Sequence, residues 1–235
     1  DKHIQIIIEE KVPIVFTSAG NPKTWTSTLK LHGITVVHVV SSSKFALKAQ
    51  EAGCDAVVAE GFEAGGHNGR EETTTMVLIP AVCAAVNIPV LAAGGIATGR
   101  QMLASMVLGA EGVQVGSRFV ASNEASSHEN FKNLVINSGE GDTHLSLKQL
   151  TPVRLLKNDF FNLVQQAENK GASTDELKKL LGRGRAKLGM FEGNLAEGEL
   201  EIGQVSAIIK TIKPAAEIVQ EMYKEYEAAL KQPVK

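Results

Sequence analysis

The chain has 235 residues, of which 43% are hydrophobic and 21% charged, and its formal net charge is −2. This length and composition are typical of one globular α/β domain with room for a smaller appendage. The weak net charge argues against nucleic acid or an anionic membrane as a partner, and no apolar run is long enough to span a bilayer.

The first half of the chain repeats one unit, a short apolar strand followed by a helix. Runs rich in β-branched and small apolar residues predict strands at 12–19, 34–41, 54–61, 88–95 and 111–117. Such near-continuous apolar strands are typical of a parallel sheet covered by helices on both faces, and their spacing of roughly twenty residues is normal for βα units.

Five βα units fit either an open doubly wound sheet or part of a closed (β/α)8 barrel, which needs about eight. Two features favour the barrel. The strongest glycine signals follow the last two strands, where barrels commonly bind phosphate, and the chain begins inside a predicted helix, "DKHIQIIIEEK". We therefore predict an α/β fold of the TIM-barrel type, with roughly three N-terminal βα units outside this sequence.

The pattern changes after residue 123, and three regions are predicted. Residues 1–123 form the later βα units of the barrel, 124–200 form a helical cap, and 201–235 form amphipathic helices that return to the barrel.

The sequence contains two cysteines, Cys54 and Cys83. Neither pairs with a histidine at ligand spacing, so no metal site is predicted. A disulfide framework is disfavoured, which indicates a reducing compartment and a cytoplasmic location.

Two glycine-containing loops follow the last two predicted strands and indicate an anion site. In "AAGGIATG", Gly94 and Gly95 make backbone amides accessible, and Thr98 can cap the next helix. In "QVGSRF", Gly116 opens room beside Ser117. Backbone amides at a helix start bind phosphate well. Each loop alone is equally consistent with an ordinary βα turn, but two neighbouring loops favour a shared phosphate.

The stretch "EGFEAGGHNGR" (residues 60–70) places a histidine beside paired glycines. Gly65 and Gly66 let backbone approach a flat or bulky ligand, and His67 can exchange a proton near neutral pH. Glu63 and Asn68 are candidates to orient the ring. The alternative for His67 is a buried histidine satisfied by backbone. His38, in the predicted strand "VVHVV", is a weaker candidate because it can simply face the barrel interior or a helix.

A run of cations lies in the predicted cap and has two interpretations. It is either a patch for an anionic partner or, more often for such runs, a solvated helix face. Its members are Lys178, Lys179, Arg183, Arg185 and Lys187.

Taken together, "EGFEAGGHNG", "IPVLAAGGIATG" and "GAEGVQVGSRF" resemble the nitronate monooxygenase family, formerly the 2-nitropropane dioxygenases. The flavin-dependent enoyl-acyl carrier protein reductases share these motifs. The likeness extends to the tail "GQVSAIIKTIKPAAEIV". It implies a TIM barrel that binds FMN, with a small helical domain over the flavin.

The resemblance also implies roles for individual residues. His67 matches the catalytic histidine. Residues matched to FMN contacts, or flanking them, are Glu60, Gly65, Gly66, Gly94, Gly95, Gln114, Val115, Gly116 and Ser117.

The resemblance implies an FMN-dependent oxidoreductase that converts nitronates or nitroalkanes, with O2, to a carbonyl compound and nitrite. The alternative is an NADH- and FMN-dependent reductase of enoyl thioesters on acyl carrier protein, an acidic partner for which the cation run would be suited. A third alternative is a phosphate-binding barrel that is either non-catalytic or uses the same loops for a sugar phosphate in place of a flavin. The oligomeric state is left open, with a homodimer among the alternatives.

Overall fold

A computed structural model describes residues 2–232, which form two compact units that interleave along the chain. The first unit contains the chain up to Gly61, then Thr73–Ala93 and Ala104–Gln114. The second contains Phe62–Glu72, Gly94–Leu103 and the chain from Val115 onward. The predicted regions 1–123, 124–200 and 201–235 stay a prediction about domains, since the compact units do not follow linear boundaries.

The first unit contains a five-stranded sheet in which every pairing is parallel. Its strands are β1 (Ile14–Thr17), β2 (Thr35–Val40), β3 (Ala56–Glu60), β5 (Val90–Ala93) and β6 (Gly112–Gln114). All five lie within the predicted runs, which confirms the parallel sheet.

The order of the strands distinguishes between the two predicted architectures. Neighbours in the sheet follow chain order, β1-β2-β3-β5-β6, with no reversal. A doubly wound sheet reverses direction at a switch point, whereas a (β/α)8 barrel adds each strand on the same side. The sheet is therefore of the barrel type.

One helix precedes β1, and further helices connect the successive strands of this sheet. In the first unit they are α1 (Lys2–Glu9), α2 (Thr26–Leu31), α3 (Ser43–Glu51) and α4 (Thr75–Cys83). The helix after β5 is α5 (Gly99–Val107). Ser42 caps α3 by accepting from the amide of Phe45. Leu29, Ala46 and Ile79 are fully buried and anchor α2, α3 and α4 in the core.

The second unit combines helices with a small antiparallel sheet. Its helices are α6 (Ser117–Val120), α7 (Glu129–Asn137), α8 (Asp159–Asn169), α9 (Thr174–Leu181) and α10 (Ala215–Leu230), with a π-helical turn at Lys187–Phe191 and a 3-10 turn at Gln204–Ile208. The sheet has the order β4-β8-β7, formed by β4 (Gly66–His67), β7 (Thr143–Ser146) and β8 (Val153–Leu156).

The two strands β7 and β8 correct the expectation that residues 124–200 are helical or irregular throughout. Their side chains are mostly buried, and Leu147, Val153 and Leu155 form a core with Phe160, Val164 and Leu177 of α8 and α9. A second core contains Phe131 and Val135 of α7 together with Leu200 and Ile202. Residues 124–200 therefore contain strands as well as helices.

Within residues 2–232, none of the helices combines the length and the apolar character needed to cross a membrane.

Candidate active site

Strand β3 ends at Glu60, followed by a glycine position that admits no side chain. Glu60 pairs in register with Ala93 of β5, and burial raises the pKa of its carboxyl to about 7. A Cβ on Gly61 would lie 2.1 Å from Oγ1 of Thr75, so the backbone passes tightly against the start of α4. Glu60 thus brings a carboxyl that titrates near neutrality to the carboxyl end of the sheet.

The paired glycines of the loop after β3 make close approaches within the second unit. A Cβ on Gly65 would lie 2.4 Å from the carbonyl carbon of Ile202. Gly66 has φ +74°, and a Cβ there would lie 2.6 Å from Oε2 of Glu201. Gly65 therefore requires glycine because of the backbone of Ile202, and Gly66 because of its positive φ. The predicted contact of these glycines with a cofactor stays a prediction.

The loop after β5 has two consecutive glycines in left-handed backbone conformation. Gly94 has φ +95° and Gly95 has φ +72°. Thr98 then caps α5 as predicted, because its Oγ1 accepts from the amide of Gln101, whose Oε1 accepts in return from the amide of Thr98. Consecutive backbone amides in such a turn, directly before a helix, form a concavity suited to an anion.

The loop after β6 leaves open space at its glycine. Gln114 ends β6 in register with Ala93. Val115 is half-buried, and Gly116 is exposed with no atom within 4 Å of where its Cβ would be. Ser117 begins α6, and its Oγ accepts from the amide of Gly203 at 2.9 Å. Its hydroxyl hydrogen is left to donate elsewhere.

Gly203 joins these loops within the second unit. A Cβ there would lie 2.8 Å from Oγ of Ser117, 2.9 Å from the carbonyl oxygen of Glu63 and 3.2 Å from the amide of Gly65. The side chain of Glu63 in turn lies 3.2 Å from the Cβ position of Gly95. The loops after β3, β5 and β6 therefore meet at one place, although the sequence separates them by tens of residues.

His67 lies on this assembly in the two-residue strand β4. It pairs with Val153 of β8, and its side chain is exposed. Asn68 was a candidate to orient the ring, but its Nδ2 donates to the carbonyl oxygens of Ala64 and Gly66 and closes the loop instead. The side chain with a charge interaction with His67 is Glu201.

A buried arginine fixes the loop that carries His67. Arg154 of β8 is 2% exposed, and its Nη2 and Nε donate to the carbonyl oxygen of Phe62 at 2.8 Å and 3.2 Å. Its guanidinium stacks on the Phe62 ring at 4.4 Å. Because the arginine holds both the backbone and the ring of Phe62, the loop is anchored to β8.

The predicted site residues thus divide between the two units. Glu60 and Gln114 lie at strand ends in the first unit; the second contains Gly65, Gly66, His67, Gly94, Gly95, Val115, Gly116 and Ser117. Sequence reasoning missed Arg154, Glu201 and Gly203. The sequence signal for Gly203 was the tail motif "GQVSAIIKTIKPAAEIV", which begins at this residue and indicated a family but no contact.

His38, which sequence reasoning set aside, is buried in β2. Its Nδ1 lies 2.7 Å from Oγ1 of Thr17, and burial lowers its pKa. Both side chains line a cavity of about 310 Å³ that is also bordered by Asn21 and Trp25. His38 in "VVHVV" is thus a buried core histidine with a hydroxyl partner, which agrees with its interpretation as a structural residue of the strand.

The cation run of the cap has local partners. Lys178 pairs with Asp175 at 3.4 Å and Lys187 with Glu192 at 2.9 Å. Arg185 donates to the backbone carbonyl oxygens of Leu180, Leu181 and Glu197 and stacks on Phe160. Local pairing favours a solvated helix face over a prepared surface for an acidic partner.

Fold and loops together define an α/β protein of the barrel type whose strand-end loops converge beside a histidine. The nitronate monooxygenase family profile matches residues 1–225. The chain therefore belongs to the nitronate monooxygenase family, a family of flavin-dependent oxidoreductases with a TIM-barrel fold.

Relatives and solved structures agree with this assignment. A probable nitronate monooxygenase of Staphylococcus saprophyticus is 37% identical over 179 residues, which cover 71% of this chain and 50% of that protein. One of Staphylococcus aureus is 41% identical over 150 residues, covering 60% and 42%. The alignments thus span about half the length of these curated relatives.

Among solved structures, FabK from Thermotoga maritima superposes with a TM-score of 0.91 at 40% identity, covering 97% of this chain and 72% of that one. Nitroalkane oxidase from Streptomyces ansochromogenes superposes with a TM-score of 0.78 at 26% identity, covering 97% and 67%.

Proposed function

We propose that the protein to which this chain belongs binds FMN and oxidises nitroalkanes or their nitronates with O2, giving a carbonyl compound and nitrite. The observation that carries the proposal is that the loops after β3 and β6 meet at Gly203 and the loops after β3 and β5 meet where Glu63 lies against Gly95, with His67 on the same assembly. The names of the staphylococcal relatives and of the Streptomyces enzyme support the same reaction class.

The residues present fit the phosphate of FMN. Gly94 and Gly95 form a turn of two left-handed residues before a capped helix, and the open space at Gly116 leaves room for phosphoryl oxygens. The hydroxyl of Ser117 is held by Gly203 and retains its hydrogen for donation. When bound, FMN supplies the electron-accepting and oxygen-reactive chemistry that side chains lack. Glu60, Gln114 and Val115 are proposed as further contacts.

The imidazole of His67 acts as the base. A neutral nitroalkane carries an acidic hydrogen on the carbon next to the nitro group. The unprotonated ring nitrogen of His67 takes this proton, the C–H bond breaks, and the electron pair moves into the nitro group to give a nitronate. His67 then carries the proton, and the anion lies beside an imidazolium, which stabilises it.

One observation favours a second candidate, the enoyl reductase. FabK from Thermotoga maritima has higher identity and a higher TM-score than the nitroalkane oxidase. In that reaction NADH is the reductant, and His67 would return a proton to the reduced thioester. The paired cations of the cap weaken this reading. The alternative without flavin loses support from the family assignment.

A stopped-flow experiment under anaerobic conditions distinguishes the two. The full-length protein, loaded with FMN, is mixed with ethyl nitronate and separately with NADH, and flavin absorbance is followed. We expect rapid bleaching by the nitronate and slow bleaching by NADH. The opposite order would establish the reductase and reject the proposed function.

A further inference from the structure

Glu201 is a half-buried carboxyl directly beside the segment that carries His67. Its Oε2 lies 2.6 Å from the place where a Cβ of Gly66 would be, so the carboxylate occupies the space that a side chain at residue 66 would fill. This space is open because Gly66 has no side chain, and its left-handed φ of +74° disfavours any other residue there. The carboxylate therefore sits against the backbone of the residue that immediately precedes the histidine.

Backbone pairing with β8 also fixes the position of Glu201 relative to His67. Residue 201 forms an antiparallel bridge with Leu155 of β8, and β8 pairs with Gly66 and His67 through its neighbouring residues Arg154 and Val153. Residues 67 and 201 thus both pair with β8, the central strand of the small sheet. Because β8 is itself anchored by the buried Arg154, neither position depends on a free loop.

The charges act on each other. Burial raises the pKa of the Glu201 carboxyl, and the charge of His67 lowers it. Glu199 is a second carboxyl near Glu201. Burial and the charge of Glu201 raise the pKa of Glu199 to about 7, and the charge of Arg185 opposes that rise. A half-buried carboxylate gains most from a cation that forms beside it, because water screens the pair weakly there.

We propose that Glu201 is a positioning residue that acts on His67 through its charge, stabilising the imidazolium that forms when the ring takes a proton, and that the enzyme consequently accepts neutral nitroalkanes as well as preformed nitronates. This inference rests on the proposed function. A preformed nitronate brings its own negative charge toward Glu201 and needs no base. A neutral nitroalkane meets no repulsion and requires the proton transfer that Glu201 favours.

The first test follows the carboxyl itself and does not depend on turnover. Carbon-13 NMR of the Glu201 carboxyl, assigned by its loss in Glu201→Gln, gives its titration midpoint in the holoenzyme and in His67→Gln. We expect the Glu201 pKa to rise in His67→Gln because the partner charge is gone. An unchanged midpoint overturns the pairing.

The second test compares substrates. Values of kcat/KM for nitroethane and for ethyl nitronate are measured for the holoenzyme, Glu201→Gln, Glu201→Asp and the control Glu199→Gln. In Glu201→Gln, loss of the carboxylate that supports the general base is expected to reduce the ratio of kcat/KM for nitroethane to kcat/KM for ethyl nitronate by about 10- to 100-fold. Glu201→Asp keeps the charge and should recover part of the ratio, and Glu199→Gln should leave it unchanged.

The outcomes separate the two hypotheses. Equal loss on both substrates in Glu201→Gln, or no loss on either, rejects the positioning role. A wild-type enzyme that oxidises neither substrate rejects the proposed function and the substrate assignment with it, while the NMR titration still decides whether Glu201 and His67 form a pair.

Discussion

The hydroxyl oxygen of Ser117 accepts a 2.9 Å hydrogen bond from the backbone amide of Gly203, 86 residues later in the chain. This bond connects the loop after β6 to the segment that also contacts Glu63 and Gly65. Gly203 is buried among these contacts and lies at the junction of the candidate site. Substitutions here should affect stability and site geometry together.

Gly203→Ala is expected to destabilise the fold. Its methyl group would lie 2.8 Å from Oγ of Ser117 and 2.9 Å from the carbonyl oxygen of Glu63, and the second contact involves backbone, which cannot rotate away. Overpacking of this kind costs about 1–3 kcal/mol. Urea unfolding of the variant and the wild type measures the difference, and equal midpoints with equal slopes would contradict the described packing.

Gly116→Ala should separate ligand binding from stability. The methyl group meets no protein atom within 4 Å, so the free energy of unfolding without flavin should change by less than about 0.5 kcal/mol. If the phosphate of FMN lies against this glycine, the same methyl group should weaken FMN binding about 10-fold, which corresponds to about 1.4 kcal/mol. Titration of the apoprotein with FMN gives the Kd, and an unchanged value argues against this cradle.

Gly66→Ala tests the space that Glu201 occupies. Gly141 supplies a matched control, since its φ of +78° is close to the +74° of Gly66 but its Cβ position is empty. Both alanine variants carry the left-handed backbone cost of about 1–2 kcal/mol. Only Gly66→Ala also displaces the carboxylate, so its thermal unfolding temperature should fall further. Equal losses in the two variants would show that Glu201 does not fill this space.

Glu60 should make stability depend on pH. Burial raises its pKa from 4.5 to about 7, so the folded state holds the proton more tightly than the unfolded state. The resulting stabilisation is complete below pH 4.5 and is lost as pH rises through about 7. Glu60→Gln removes this loss and should stabilise the protein by about 1–3 kcal/mol at pH 8 relative to wild type.

At pH 4.5 the stabilities of Glu60→Gln and wild type should converge. Denaturant unfolding without flavin at the two pH values provides the measurement. The exposed Glu51→Gln serves as the control and should show no such pH dependence. A constant difference between Glu60→Gln and wild type at both values would mean that the carboxyl is not buried as described.

His67→Ala tests the base. The side chain is exposed, so folding and FMN binding should be retained. Turnover of neutral nitroalkane should fall by about 100-fold or more, whereas turnover of preformed nitronate should fall far less, because only the first requires proton removal. Steady-state kinetics on both substrates, with flavin content as the control, provide the comparison. Equal losses would exclude the base role.

The parallel sheet could be predicted because its strands are buried on both faces and are therefore apolar at nearly every position. Val57 and Val58, which point to opposite faces, are both fully buried. The strand-end glycines could be predicted because they stand out after such runs. The predicted strands were too long at their ends, however, since glycines and prolines near a strand do not mark where pairing stops.

The antiparallel strands of the cap and the contacts of segment 201–203 could not be predicted in the same way. Strand β8 reads "VRLL", and its buried Arg154 breaks the apolar pattern that identifies a strand. Strand β4 has only two residues, one of them glycine. Glu201 and Gly203 acquire their meaning from contacts more than eighty residues distant, which local sequence patterns do not report.

The anchoring of Phe62 by Arg154 has a consequence for biosynthesis. The loop that carries His67 is made early, but the strand that holds it is made long afterwards. On the ribosome, therefore, the histidine emerges with no partner and cannot adopt its working position while the later strand is still being translated. Assembly of this loop therefore requires contact between residues that lie 92 positions apart in the chain.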